Sequence, residues 1–170
     1  MARQLTADDA RQSLTAHVES KGVEIYLKYG PQLDRGGLQR LLEDRTQVRY
    51  PCEIVFDATS LLPGEFAQPV AKGRQPDEGF TMFVHPCFET QPDLVPALVL
   101  YQLVTVNYGE FASAEDAETF GAAALGLTRD EYYAMLCEVS DQLGAGGDQP
   151  APTHGHAAGG CSCGGGCGCS

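Results

Sequence analysis

The chain has no tryptophan and is short of positive charge: 11 Lys and Arg stand against 23 Asp and Glu, a formal net charge of -12 over 170 residues. That balance argues against a general nucleic-acid binder, whose affinity comes mainly from cations on phosphates. No run is long and apolar enough to span a bilayer, so no membrane is expected as a partner. The opening MARQLTADDARQ lacks the apolar centre of a secretory signal. A cytoplasmic location follows as the expectation, and there thiols stay reduced. There is no glycine-rich phosphate loop and no internal repeat. Apolar residues are not scarce overall: a 43% share is too high for a disordered chain. The length suits one domain with a real core, plus a tail.

Thr6 is placed to cap a helix, with Asp8 and Asp9 in its first turn, where the helix dipole favours negative charge. Leu14, Val18, Ile25, Tyr26 and Tyr29 give that helix an apolar stripe, with an irregularity expected at Gly22, and Gly30-Pro31 stops it. His17 reads as a surface or half-buried residue. A second short helix is expected over 34–46. Arg35, Arg40, Arg45 and Arg49 lie in or just after it. They read as a solvated face paired with carboxylates, or as a docking patch for an acidic partner.

Three extended segments follow at 52–57, 64–70 and 80–85, separated by turn signals, which predicts a small, mostly antiparallel sheet. Pro69 assigns the middle segment to an edge. His85 and Cys87, two apart at the end of the last strand, could both reach one metal ion. Otherwise one is a strand-end residue and the other packs. Pro92 and Asp93 are expected in the first turn of the next helix. That helix carries Leu94, Val95, Leu98, Val99, Leu103, Val104 and Val106 on nearly every face and so belongs in the middle of the domain. Gly109 breaks it. Ser113 caps the next helix, which Gly126 ends, and Thr128 to Glu131 is a capping box for a last helix through Tyr132, Met135, Leu136, Val139 and Leu143.

The order of helix, helix, small sheet, central helix and capped helix resembles the minimal zincin-like metallopeptidase domain over roughly residues 50–126. Phe83-Val84-His85-Pro86 resembles its cleft-lining edge strand. Tyr101-Gln102-Leu103-Val104-Thr105 sits in the frame of the His-Glu-x-x-His helix, and the acidic run 113–121, with Glu115 and Glu118, resembles the helix that supplies a third ligand. In that frame Tyr101 and Thr105 replace two imidazoles, and a phenol and a hydroxyl are poor zinc ligands beside them. Gln102 replaces the general base, and an amide has no usable pKa. The resemblance therefore implies a zincin-like α+β fold with no catalytic residues, a pseudoenzyme that keeps a cleft for an extended peptide. Residual hydrolysis would need a metal at His85, Cys87 and Glu118.

After Leu143 the composition changes to Gly, Ala, Pro, His and Cys, which predicts a disordered tail over 144–170 behind a domain at 5–143. Cys161, Cys163, Cys167 and Cys169 form two Cys-x-Cys pairs joined by three glycines, with His154 and His156 upstream. Four thiolates give the tetrahedral set that zinc accepts, and soft thiolates also suit copper(I). Nickel and an iron–sulfur cluster are further options, although the spacing departs from the common ferredoxin runs. The tail resembles those of metallochaperones, which implies a metal-binding accessory protein whose body holds a client protein. Its Gly-Cys and Cys-Ser steps also resemble the core peptides of ribosomally made, modified natural products. On that alternative the body is a leader and its partner a modifying enzyme.

Overall fold

The computed structural model describes residues 6–145. The first helix, α1 (Ala7–Tyr29), opens on a reciprocal capping box: the Thr6 hydroxyl accepts from the Asp9 N–H, and the Asp9 carboxylate accepts from the Thr6 N–H. A shorter α2 (Arg35–Glu43) is capped by Asp34, whose carboxylate accepts from the Gly37 N–H at 2.6 Å. Three strands follow, β1 (Cys52–Phe56), β2 (Ala67–Ala71) and β3 (Phe80–Val84). After a 3-10 turn at Pro86–Thr90 come α3 (Val95–Tyr108), α4 (Ala114–Leu125) and α5 (Arg129–Ala145). The chain is thus α+β, and no helix among the described residues is long and apolar enough to cross a membrane.

The sheet order is β1-β3-β2, with β1 parallel to β3 and β2 antiparallel to it. This corrects the expectation of a mostly antiparallel sheet. The link from β1 to β2 carries the chain past the place beside β1, and β3 then returns into the gap between them. Pro69 does lie on an edge strand, where its missing N–H costs no ladder bond. The segment leading into His85 is the central strand, however, and not the edge strand expected of it.

The buried centre is α3, packed between the sheet and α4. Val95 to Leu100, Leu103, Val104 and Val106 are all buried, as an all-round apolar helix demands. Its N-terminal proline is Pro96; Pro92 and Asp93 belong to the turn before it, so the helix begins later than their spacing suggested. On the far side α4 is flanked by α1 and α5. Gly22 faces α4 so closely that a Cβ there would stand 2.6 Å from the Phe120 carbonyl oxygen. It is a helix-crossing residue inside an unbroken helix, which corrects the irregularity expected there. Gly121 plays the same part for α5, since a Cβ would stand 2.2 Å from the Tyr132 ring. Tyr132 is fully buried, and its hydroxyl donates to the Ala97 carbonyl at 2.6 Å, tying α5 to α3.

Candidate functional site

Two hollows are each lined in part by α5 and by the loop before β2. The first is built on α3. Tyr101 faces outward from that helix, and its ring meets the ring of Phe66 edge-on at 5.7 Å. Together with Glu118 of α4 and Tyr133, Cys137 and Asp141 of α5 they line a hollow of about 280 Å³. Burial pushes the Tyr101 phenol up, and the Glu118 charge adds to the shift. A hydrogen bond with Cys137 raises Tyr133. The hollow therefore offers three rings, neutral phenols and two carboxylates, an environment that suits a cation over ring faces. Glu118 is partly engaged, with the Arg129 guanidinium 3.4 Å away.

Tyr101, Gln102 and Thr105 take three different settings. Tyr101 lies at the hollow, whereas Thr105, one turn on, is exposed. Gln102 turns to the sheet and donates from Nε2 to the Ala67 carbonyl at 2.8 Å, holding the start of β2 against α3. A carboxylate at this position could not donate that bond.

The second hollow, about 450 Å³, lies among Leu61, Leu62, Pro63, His85, Cys87 and Leu143. His85 caps the 3-10 turn: its Nδ1 accepts from the Cys87 N–H at 3.3 Å, and the Cys87 Sγ stands 3.0 Å from the same nitrogen. Covering by the turn pushes the Cys87 thiol up. Glu118 lies at the first hollow, so the set His85, Cys87 and Glu118 is not brought together. Among the described residues no group of three or more His, Cys, Asp or Glu could hold a metal ion. Cys52 is a packing thiol, pushed up to about 11 by burial.

The tail residues His154, His156, Cys161, Cys163, Cys167 and Cys169 lie outside the described residues. Among the described residues no carboxylate forms an ion pair with Arg35, Arg40, Arg45 or Arg49, in place of the pairing expected of them. Arg45 donates to the Leu42 and Val48 carbonyls, Arg35 stands over the Phe56 ring and Arg49 over the Tyr50 ring. His17 is exposed, with its ring edge-on to Tyr108. Sequence reasoning missed Tyr133, Cys137 and Asp141. Their spacing of four along one helix, off the Tyr132-Leu136-Val139 stripe, is the signal that could have found them. No family model, curated protein or solved structure matches the chain.

Proposed function

We propose that this protein is a metal-binding accessory protein, acting in delivery, sequestration or metalloprotein maturation. Cys161, Cys163, Cys167 and Cys169, with His154 and His156 as auxiliary ligands, hold a soft cation, zinc or copper(I). The observation that carries the reading is that four of the seven cysteines fall in the last ten residues, as two Cys-x-Cys pairs. A thiol binds metal as the thiolate and gives up its proton, so loading releases protons and weakens as the pH falls.

The body is a non-catalytic relative of the zinc peptidases that recognises the client. What supports this is the frame Tyr101-Gln102-Leu103-Val104-Thr105, which offers no imidazole and no base, and in which Gln102 serves the packing of β2. The hollow of Phe66, Tyr101, Tyr133, Glu118 and Asp141 fits a Lys or Arg side chain of that client.

The Gly-Cys and Cys-Ser steps of the tail favour a second reading, a precursor whose cysteines become heterocycles while the body binds the modifying enzyme. Intact-mass measurement of the full-length protein from its own host separates the two. The metal reading predicts a denatured mass equal to the sequence, apart from Met1 processing, and a native mass that carries metal. Loss of water and hydrogen at the cysteines, or a cleaved tail, overturns it in favour of the precursor.

A further inference from the structure

Positive charge is scarce in this chain, yet part of it gathers in a third hollow that shares no lining residue with the two described above. His17 and Lys21, one turn apart on α1, line it together with Arg45 and Arg49 of the loop between α2 and β1 and Tyr108 at the end of α3; its volume is about 270 Å³. Three of the chain's 11 Lys and Arg stand there, and no Asp or Glu is among the lining residues, although acidic residues number 23. Glu24 stands at the edge: its Oε2 accepts from Lys21 Nζ at 2.7 Å and from Gln47 Nε2 at 3.1 Å. An exposed ion pair of that kind is weak and leaves Lys21 open to exchange. Neither Arg45 nor Arg49 has a carboxylate partner among the described residues.

The loop that carries the arginines is held in place before any ligand arrives. Asn107, buried at the end of α3, accepts from the Arg49 N–H at 2.8 Å and donates to the Gln47 carbonyl at 3.0 Å. The Arg45 guanidinium donates to the Leu42 and Val48 carbonyls at 2.9 and 3.2 Å. These acceptors are neutral, so they fix the group without cancelling its charge. The Arg49 guanidinium lies 5.3 Å from the centre of the Tyr50 ring, and a ring face likewise leaves the charge uncancelled. Cations fixed in advance lose little freedom when an anion binds, and guanidinium forks match the oxygens of phosphate and carboxylate. Burial, with the Glu24 charge adding to it, pushes the Tyr108 phenol up, so it stays a neutral donor. The repulsion from a chain of net charge -12 is screened beyond about 8–10 Å. Gln47, also in the lining, narrows the choice of anion. Its Oε1 is buried and has no hydrogen-bond partner among the described residues, while its Nε2 is engaged by Glu24. A buried acceptor calls for a ligand that donates. Carboxylate and sulfate at neutral pH only accept, whereas a phosphate can keep an O–H.

We propose that this hollow binds a phosphate group, as the free ion or as a phosphomonoester, with Lys21, Arg45 and Arg49 taking its charge and Gln47 Oε1 accepting its remaining proton. Tyr108 and His17 close the side opposite the loop as further polar partners. The site uses none of the terminal cysteines, so it stands or falls apart from the reading of the tail as a metal carrier.

The test titrates the full-length protein with inorganic phosphate, phenyl phosphate and sulfate at neutral pH and constant ionic strength, followed by the ¹⁵N–¹H resonances, the side-chain amide of Gln47 included. The proposal expects saturable shifts at Gln47, Arg49 and Tyr108 with phosphate, and an affinity for sulfate lower by at least about tenfold. Saturation by phenyl phosphate assigns the site to phosphomonoesters, and saturation by inorganic phosphate alone assigns it to the free ion. Lys21→Gln and Arg49→Gln should each weaken phosphate by at least about fivefold. Arg35→Gln, a charge removed from α2 outside the hollow, should leave the affinity unchanged. Arg45 is a poor test position, because its replacement also strands the Leu42 and Val48 carbonyls. Shifts that grow without saturating, equal affinity for sulfate, or Lys21 and Arg49 variants that bind phosphate as well as the parent would each overturn the proposal.

Discussion

Replacing Gly22 with alanine sets two effects of opposite sign against each other. In an ordinary helix interior the change stabilises by about 0.8–1 kcal/mol, because glycine is the poorer helix former. At this crossing of α1 and α4 a Cβ would stand 2.6 Å from the Phe120 carbonyl oxygen, 2.7 Å from the Ala123 Cβ and 3.1 Å from the Ala124 nitrogen. Carbon contacts normally lie at about 3.5–4.0 Å, so the shortfall is close to 1 Å. Two of the three obstacles are backbone and the third is a Cβ, none of which can rotate away. The helices must part, loosening the contacts of Val18 and Ile25, one turn to either side and both buried. Overpacking of this kind costs about 1–3 kcal/mol, and rigid obstacles place it in the upper half of that range. The net expectation is a loss of about 1–2 kcal/mol. With no tryptophan in the chain, urea unfolding followed by far-ultraviolet circular dichroism is the natural assay. Gly36→Ala is the control: Gly36 is exposed on α2, and its nearest obstacle, at 3.5 Å, is the Asp34 carboxylate. That variant should be neutral or gain up to about 1 kcal/mol. A Gly22→Ala protein as stable as the control would refute the close crossing.

Asn107 is buried, accepts from the Arg49 N–H at 2.8 Å and donates to the Gln47 carbonyl at 3.0 Å, so Asn107→Ala strands two backbone groups and should cost about 2–4 kcal/mol in the same assay. Gln102→Glu sets a carboxylate against the Ala67 carbonyl and should lose about 1–3 kcal/mol at neutral pH, whereas Gln102→Met should lose less; equal stability of all three proteins would remove Gln102 from its structural role. The Lys28 ammonium beside Asp44, helped by Thr46 and Tyr29, holds that carboxyl well below the usual range. A depressed carboxyl contributes stability that is complete above its unfolded value, about 3.9, and is lost as the pH falls through the folded one. Asp44→Asn should therefore flatten the decline of the urea midpoint below about pH 4, and an unchanged acid limb would contradict the assignment.

How far the fold could be read from the sequence depended on how local each signal was. The caps expected at Thr6 and Ser113 and the capping box expected at Thr128 each join residues three apart; all three formed, the first two as reciprocal boxes as well. The all-round apolar pattern of 94–106 placed α3 at the centre because burial on every face leaves no other position. Strand order is different in kind. Each five-residue strand carries its own turn signals, but nothing in the run 80–85 says that it enters between β1 and β2. The roles of Gly22 and Gly121 were equally out of sight, since each depends on a partner helix about a hundred residues away or on a ring eleven residues away. At the hollows the chemistry was legible by residue type, as with Tyr101, Glu118, His85 and Cys87. Their division between two hollows follows from where α5 lies, which its apolar stripe alone does not state.

The central claim is that the terminal cysteines carry a soft metal ion. The most direct test is the metal content and chelator-competition affinity of the full-length protein beside the variant in which Cys161, Cys163, Cys167 and Cys169 are all Ser. The account predicts one tightly held zinc or copper(I) ion per chain in the first. In the second it predicts a loss of affinity of at least a hundredfold, about 2.7 kcal/mol, with the fold unchanged. Equal metal content and affinity in the two proteins, or no bound metal in the first, would contradict it.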